Sequence, residues 1–130
     1  MNGPALDARG QRVAAAWFTR GGGGPKVLTA LSTDGGESFG KATSLPAKDP
    51  IGRCGVAVLA DTSVAVCWFE LADNAAELRV SRGGAKAVIC ARTSAGRSSG
   101  VPEIVAEGDN VVVAWRDVSK RRVLTARITW

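Results

Sequence analysis

The chain has 130 residues, 45% of them apolar and 22% charged, with a formal net charge of +5, three cysteines, no histidine and no tyrosine. That length and apolar share support one compact core without a second independent domain. No apolar run of about 18 residues exists, and residues 1–10 show no basic stretch followed by an apolar one, so neither a membrane span nor a signal peptide is read and the compartment stays undetermined. The positive charge is scattered. Its one cluster, Lys120, Arg121 and Arg122, falls in an expected turn, so the basic stripe that nucleic acid requires is missing. Without histidine the common zinc sets disappear, and Cys54, Cys67 and Cys90 form no C-x-x-C pair. They read as small buried thiols in preference to a disulfide or a nucleophile, and no metal or cofactor is expected.

In chain order, the first segment is PALDARGQRVAAAW (residues 4–17), two short apolar stretches around a polar turn, ending in Trp17. A flexible turn follows, Gly21 to Gly24 and Pro25. It has no Gly-Lys-Ser/Thr and no helix after it, so a phosphate loop is excluded. Then come KVLTALS from Lys26 and KATSL from Lys41. The pattern returns as GVAVLADTSVAVCW (55–68), ELRVSR from Glu77 and AVICA from Ala87. It returns again as PEIVAEGDNVVVAW (102–115) and RVLTARI from Arg122. The first and third copies align without a gap and share Pro, Ala, Gly, Val, Ala and Trp. Each segment is short, rich in Val, Leu and Thr, and bounded by Gly, Asp, Asn or Ser, and none sustains a helical apolar period.

Trp17, Trp68 and Trp115 therefore recur about every 50 residues, close to the roughly 40–50 of propeller blades. The expected fold class is all-β: one unit of three four-stranded antiparallel blades, about 1–48, 49–95 and 96–130, the third reaching only its third strand at Trp130. Each tryptophan reads as a plug between neighbouring blades in preference to a ligand-stacking ring. Trp130 has no counterpart in the repeat.

Between the third and fourth strands of the first copy stands STDGGESF, residues 32–39. Ser32, Asp34, Gly36 and Phe39 fit the pattern S-x-D-x-G-x-x-[WF]. A short carboxylate there bonds backbone N–H groups across a tight turn, glycine takes the positive φ, and the aromatic ring folds beneath the hairpin. With this motif, and with phrases such as VLTALSTDGGESFG and RSSGVPEIVAEGDNVVVAWRD, the chain resembles the carboxy-terminal half of bacterial exo-α-sialidase-like proteins, the neuraminidase-type Asp-box propellers. The second copy is degenerate around Ser81 to Gly84. The resemblance implies six blades, so that this chain is half a ring. It also implies an active site on the face opposite the Asp-box, with a tyrosine nucleophile, acidic partners and three arginines.

No tyrosine is present, so a sialidase site made from these residues alone is not expected, and no catalytic residue is assigned. The face away from the Asp-box takes the crossovers between copies (47–53 and 93–99) and the turns at 20–25, 70–74 and 117–121. Arg53 and Arg97 precede inner strands there, where a guanidinium fork suits a carboxylate or a sugar; the alternative is that they bond carbonyls of the next blade. Glu70, Asp73 and Asp117 are weaker candidates, read equally as solvated turn formers. The function this supports is a non-catalytic module binding a glycan or another anionic ligand, or an interaction scaffold. The alternative is a fragment of an exo-α-sialidase-type hydrolase that needs further blades. An arc of three blades leaves apolar flanks open, which calls for a second copy completing a homodimeric ring or for blades of a longer parent.

Overall fold

The structure, a computed structural model, describes residues 3–94 and 101–130. It contains three antiparallel sheets. The first holds β1 (Ala5–Arg9), β2 (Arg12–Thr19), β3 (Lys26–Ser32) and β4 (Thr43–Ser44). The second holds β5 (Pro50–Val58), β6 (Val64–Ala72), β7 (Ala75–Arg82) and β8 (Val88–Ser94). The third holds β9 (Glu103–Glu107), β10 (Asn110–Asp117) and β11 (Arg122–Ile128). Each sheet is a meander, with every strand paired to its sequence neighbour. No helix among the described residues is long and apolar enough to cross a membrane.

Strand chemistry sets which way each face looks. In β2, Ala14 and Ala16 are buried against the second sheet while Ala15 and Trp17 take the other side, the period-two alternation of a pleated strand. The seam between sheets 1 and 2 packs Ala14, Ala16 and Val27 against Val56, Val66 and Trp68. The seam between sheets 2 and 3 packs Ala57, Cys67 and Leu78 against Ile104, Val113 and Trp115. Trp68 and Trp115 are thus each wedged against the preceding sheet, and β2 and β6 carry small residues where the next sheet presses. At Gly55 the approach is closest. A Cβ there lies 3.0 Å from both Cys67 Sγ and Ile104 Cγ2, so glycine is what lets β9 lie against β5.

The first strands of the sheets lie side by side, β1 on β5 and β5 on β9, while β4, β8 and β11 keep their main contacts within their own sheets. The sheets therefore converge on β1, β5 and β9 and fan outward. The Gly35 N–H donates to Gln11 O at 2.8 Å, which puts the β3–β4 and β1–β2 turns at one end. The Leu71 N–H donates to Asp49 O at 2.9 Å, which puts the distal end of β6 beside the crossover into β5 at the other.

Several expectations change. The third sheet stops at its third strand, as the repeat led one to expect, and the changes lie elsewhere. β4 covers two residues of the five expected, because it is an outermost, exposed strand anchored by the pairs Leu28↔Ser44 and Thr29↔Thr43. β5 begins at Pro50, so residues 50–53 belong to a strand instead of a crossover, and β6 continues to Ala72, which takes Glu70 out of the turn. Trp130 acquires a role: the Arg82 guanidinium lies 5.5 Å from its ring centroid. Arg82 also pairs with Asp61, so the last residue of the chain is tied to the second sheet by a cation–π contact.

Candidate ligand-binding groove

The convergence of β1, β5 and β9 leaves a groove of about 700 Å³ along the inner strands, lined by Asp7, Arg9, Arg53, Cys54, Glu103 and neighbouring backbone. Arg53 owes its place to a local irregularity. The β5–β6 register runs Pro50↔Glu70 and Ile51↔Phe69, then jumps to Cys54↔Trp68. Gly52 and Arg53 are therefore two residues inserted at the register shift, and Gly52 has φ 72°. A bulge of this kind bends the strand and re-aims a side chain; here Arg53 is exposed and lines the groove. Asp7 and Arg9 are committed to the seam. The Val58 N–H donates to Asp7 Oδ2 at 2.8 Å, and Arg9 Nε donates to Val58 O at 3.3 Å. Together they clasp both backbone polar groups of Val58 in the adjacent sheet.

Opposite the bulge, β6 is held by a buried polar network. Glu70 is 1% exposed, not a solvated turn residue. It accepts a hydrogen bond from Trp68 Nε1 at 2.9 Å, and its other oxygen lies 3.8 Å from Arg79 Nε. Across the ladder, Glu70 pairs with Glu77 and Glu77 with Arg92. Glu77 accepts from Arg79 at 2.6 Å and from Arg92 at 2.9 Å. The Arg79 guanidinium, followed by that of Arg92, holds the Glu77 carboxyl below the usual carboxylate range. Two carboxylates and two guanidiniums are thus interleaved, the arrangement that makes buried charge tolerable.

The third sheet repeats only half of this. Asp117 occupies the place after Trp115 that Glu70 occupies after Trp68. One methylene shorter, it turns to Ser119 Oγ at 2.7 Å and the Lys120 N–H at 3.1 Å. Those donors, the Ser119 hydroxyl first, hold the Asp117 carboxyl below the usual carboxylate range. Trp115 Nε1 consequently has no hydrogen-bond partner among the described residues. Asp117 is buried at the end of β10 and serves its turn. Arg97 lies outside the described residues. Asp73, with φ 56°, sits in the two-residue turn between β6 and β7.

At the opposite end, Ser32, Asp34, Gly36 and Ser38 are linked by a local hydrogen-bond network. Ser32 Oγ donates to Asp34 Oδ1 at 2.6 Å and accepts from the Gly36 N–H at 2.9 Å. Asp34 Oδ1 also accepts from the Ser38 N–H at 2.9 Å, and its second oxygen accepts from the Ser38 hydroxyl. These bonds, the Ser32 hydroxyl first, lower the Asp34 pKa from 3.8 to about 2. A depressed folded-state value means that the stabilisation is present above the unfolded value and is lost as pH falls through the folded one. Urea midpoints should therefore drop between about pH 4 and pH 2, and Asp34→Asn should flatten that part of the profile. An unchanged profile would show that the turn's carboxylate contributes nothing to folding. Phe39 does not fold beneath the hairpin. The residue is 43% exposed and borders an apolar hollow with Leu6 and Trp17 on the outer flank of sheet 1, where no other sheet packs among the described residues.

The thiols are free, with Cys54 and Cys67 buried. Burial raises Cys54 and Cys90 to about 11 and Cys67 further still, so none is a ready nucleophile at neutral pH.

No protein-family model matches the chain, and no curated sequence is similar to it. Among solved structures it is similar to the Hadza microbial sialidase Hz136, with a TM-score of 0.56 and 14% sequence identity over 95% of this chain. The chain spans about 30% of that sialidase's length. The likeness is one of fold: three antiparallel sheets in a sialidase-like β-sheet arrangement.

Proposed function

We propose that the chain is a non-catalytic, sialidase-like propeller module that binds an anionic ligand, a sialylated or otherwise acidic glycan, in the inner-strand groove. The observation that carries this reading is the bulge at Gly52 and Arg53, which sets an arginine on a groove of about 700 Å³. A guanidinium fork is matched to a carboxylate and supplies charge-assisted bonds of roughly 1.5–3 kcal/mol. The absence of tyrosine from the sequence leaves this chain without the nucleophile a sialidase uses, and that favours binding over turnover. The turn at 32–39 is, on this reading, the Asp-box staple at the far end of the blade, outside the ligand site.

Calorimetric titration with sialyllactose, with lactose as the neutral control, tests the proposal. Sialyllactose should bind and lactose should bind more weakly, and Arg53→Ala should weaken the sialyllactose contact by about 10- to 150-fold. Equal affinity of the Arg53→Ala chain would remove Arg53 from the site. A second reading, a piece of a sialidase-type hydrolase completed by other blades, is favoured by the 30% coverage of the similar sialidase. Turnover of a fluorogenic sialoside by the purified chain would replace the first reading with the second.

A further inference from the structure

Each internal seam joins two unlike faces. Toward the preceding sheet, a sheet presents the tryptophan of its second strand with a branched residue of its first: Trp68 with Val56, and Trp115 with Ile104, all buried. Toward the following sheet it presents two small residues of its second strand and an aliphatic residue of its third. These are Ala14, Ala16 and Val27 in sheet 1, then Ala65, Cys67 and Leu78 in sheet 2, again all buried. The chain uses this junction twice and keeps one unpaired face of each kind. On sheet 1 the tryptophan face is open: Leu6, at the place of Val56 and Ile104, is 63% exposed. Trp17 lies beside it, bordering an apolar hollow of about 590 Å³. On sheet 3 the small-residue face is open, with Val112 and Ala114 half-buried. The ladder pairs Trp17 with Leu28, Trp68 with Arg79 and Trp115 with Leu124. Val123 therefore stands where Val27 and Leu78 stand, and it is 69% exposed where they are sealed.

We propose that the Leu6 and Trp17 face of one copy docks head to tail on the Val112, Ala114 and Val123 face of a second copy. The two faces are the halves of a junction this sequence already forms internally, so a second copy supplies each with the shape it lacks. The sheet 3 face also carries charge: Arg116 stands across the ladder from Val123, and Arg127, across from Val112, pairs with the exposed Glu107 at 3.0 Å, so the apolar side chains stand among charged ones. Such a contact is heterologous and either closes into a ring or extends without limit. Closure by two copies rests on the propeller reading above; the contact itself rests only on the repeated junction.

Light scattering across a micromolar dilution series tests it. The unmodified chain should give twice its 13.4 kDa mass. Leu6→Glu and Val123→Glu alter side chains that the isolated fold leaves exposed, so each should stay folded by circular dichroism yet run at 13.4 kDa. Each should weaken pairing by at least about 100-fold, because a carboxylate is then buried without a partner. Mixing the two variants should restore a pair, since one of its two junctions is then free of both substitutions. A monomeric unmodified chain, a pair indifferent to Val123→Glu, or a mixture that fails to pair would each overturn the proposal, and open-ended assembly would overturn the twofold closure. Sialyllactose titration of the Val123→Glu monomer reports separately on the groove, so failure of pairing and failure of binding are distinguishable.

Discussion

Trp68→Ala should destabilise the chain by about 3–5 kcal/mol, the range for truncating a buried aromatic to alanine where the surroundings collapse only in part. The ring is 1% exposed and fills the seam between sheets 1 and 2 against Ala14, Ala16 and Val27. Those neighbours are short side chains on paired strands, which gives them little freedom to close the cavity. The repeat supplies its own control. Trp17 holds the same position in sheet 1 but is only half-buried on an outer flank, so Trp17→Ala should cost less than half as much. Urea denaturation of both variants in the Val123→Glu background keeps association out of the comparison. Equal losses would mean that the tryptophans act within their own sheets and do not plug the seams.

That contrast also shows where the sequence was informative. The recurrence of Trp17, Trp68 and Trp115, each after a short apolar run, is a signal of period and composition, and both survive in any chain that stacks like sheets. Strand identities followed from it because Val, Leu and Ala in alternation are physically suited to a pleat pressed on both faces. The bulge at Gly52 and Arg53 was not legible as such. Two inserted residues break the alternation, so residues 50–53 read as a crossover, and only the register jump opposite Phe69 and Trp68 shows them to be strand. Glu70 was misplaced for a related reason. A carboxylate near a turn suggests solvent, and its burial becomes acceptable only through Trp68, Arg79 and the cross-strand neighbour Glu77, three residues whose approach depends on the ladder. Phe39 differs again: the hydrogen bonds of its turn are local, whereas where its side chain rests depends on what packs against the outer flank of sheet 1.

Glu70→Ala should be nearly as damaging as loss of the tryptophan, about 3–5 kcal/mol, because removing one member of a buried ionic set strands the others. Trp68 Nε1 would lose its acceptor inside the seam, and Arg79 would lose one of its two carboxylates. Glu70→Gln separates these contributions. An amide oxygen still accepts from the indole, whereas the charge facing Arg79 is gone, so the loss should fall between that of alanine and zero. Trp68→Phe makes the complementary change, keeping an aromatic plug while removing the N–H. Thermal and urea denaturation of the three variants and of the Glu70→Gln, Trp68→Phe double variant give the coupling energy directly. A loss below about 1 kcal/mol for Glu70→Ala would mean that water reaches the network and that its ions behave as surface pairs. A coupled, costly site would instead make Glu70 the anchor that holds β6 rigid opposite the bulge. Arg53, inserted at the register shift, would then owe its position on the groove to a strand held rigid by that network.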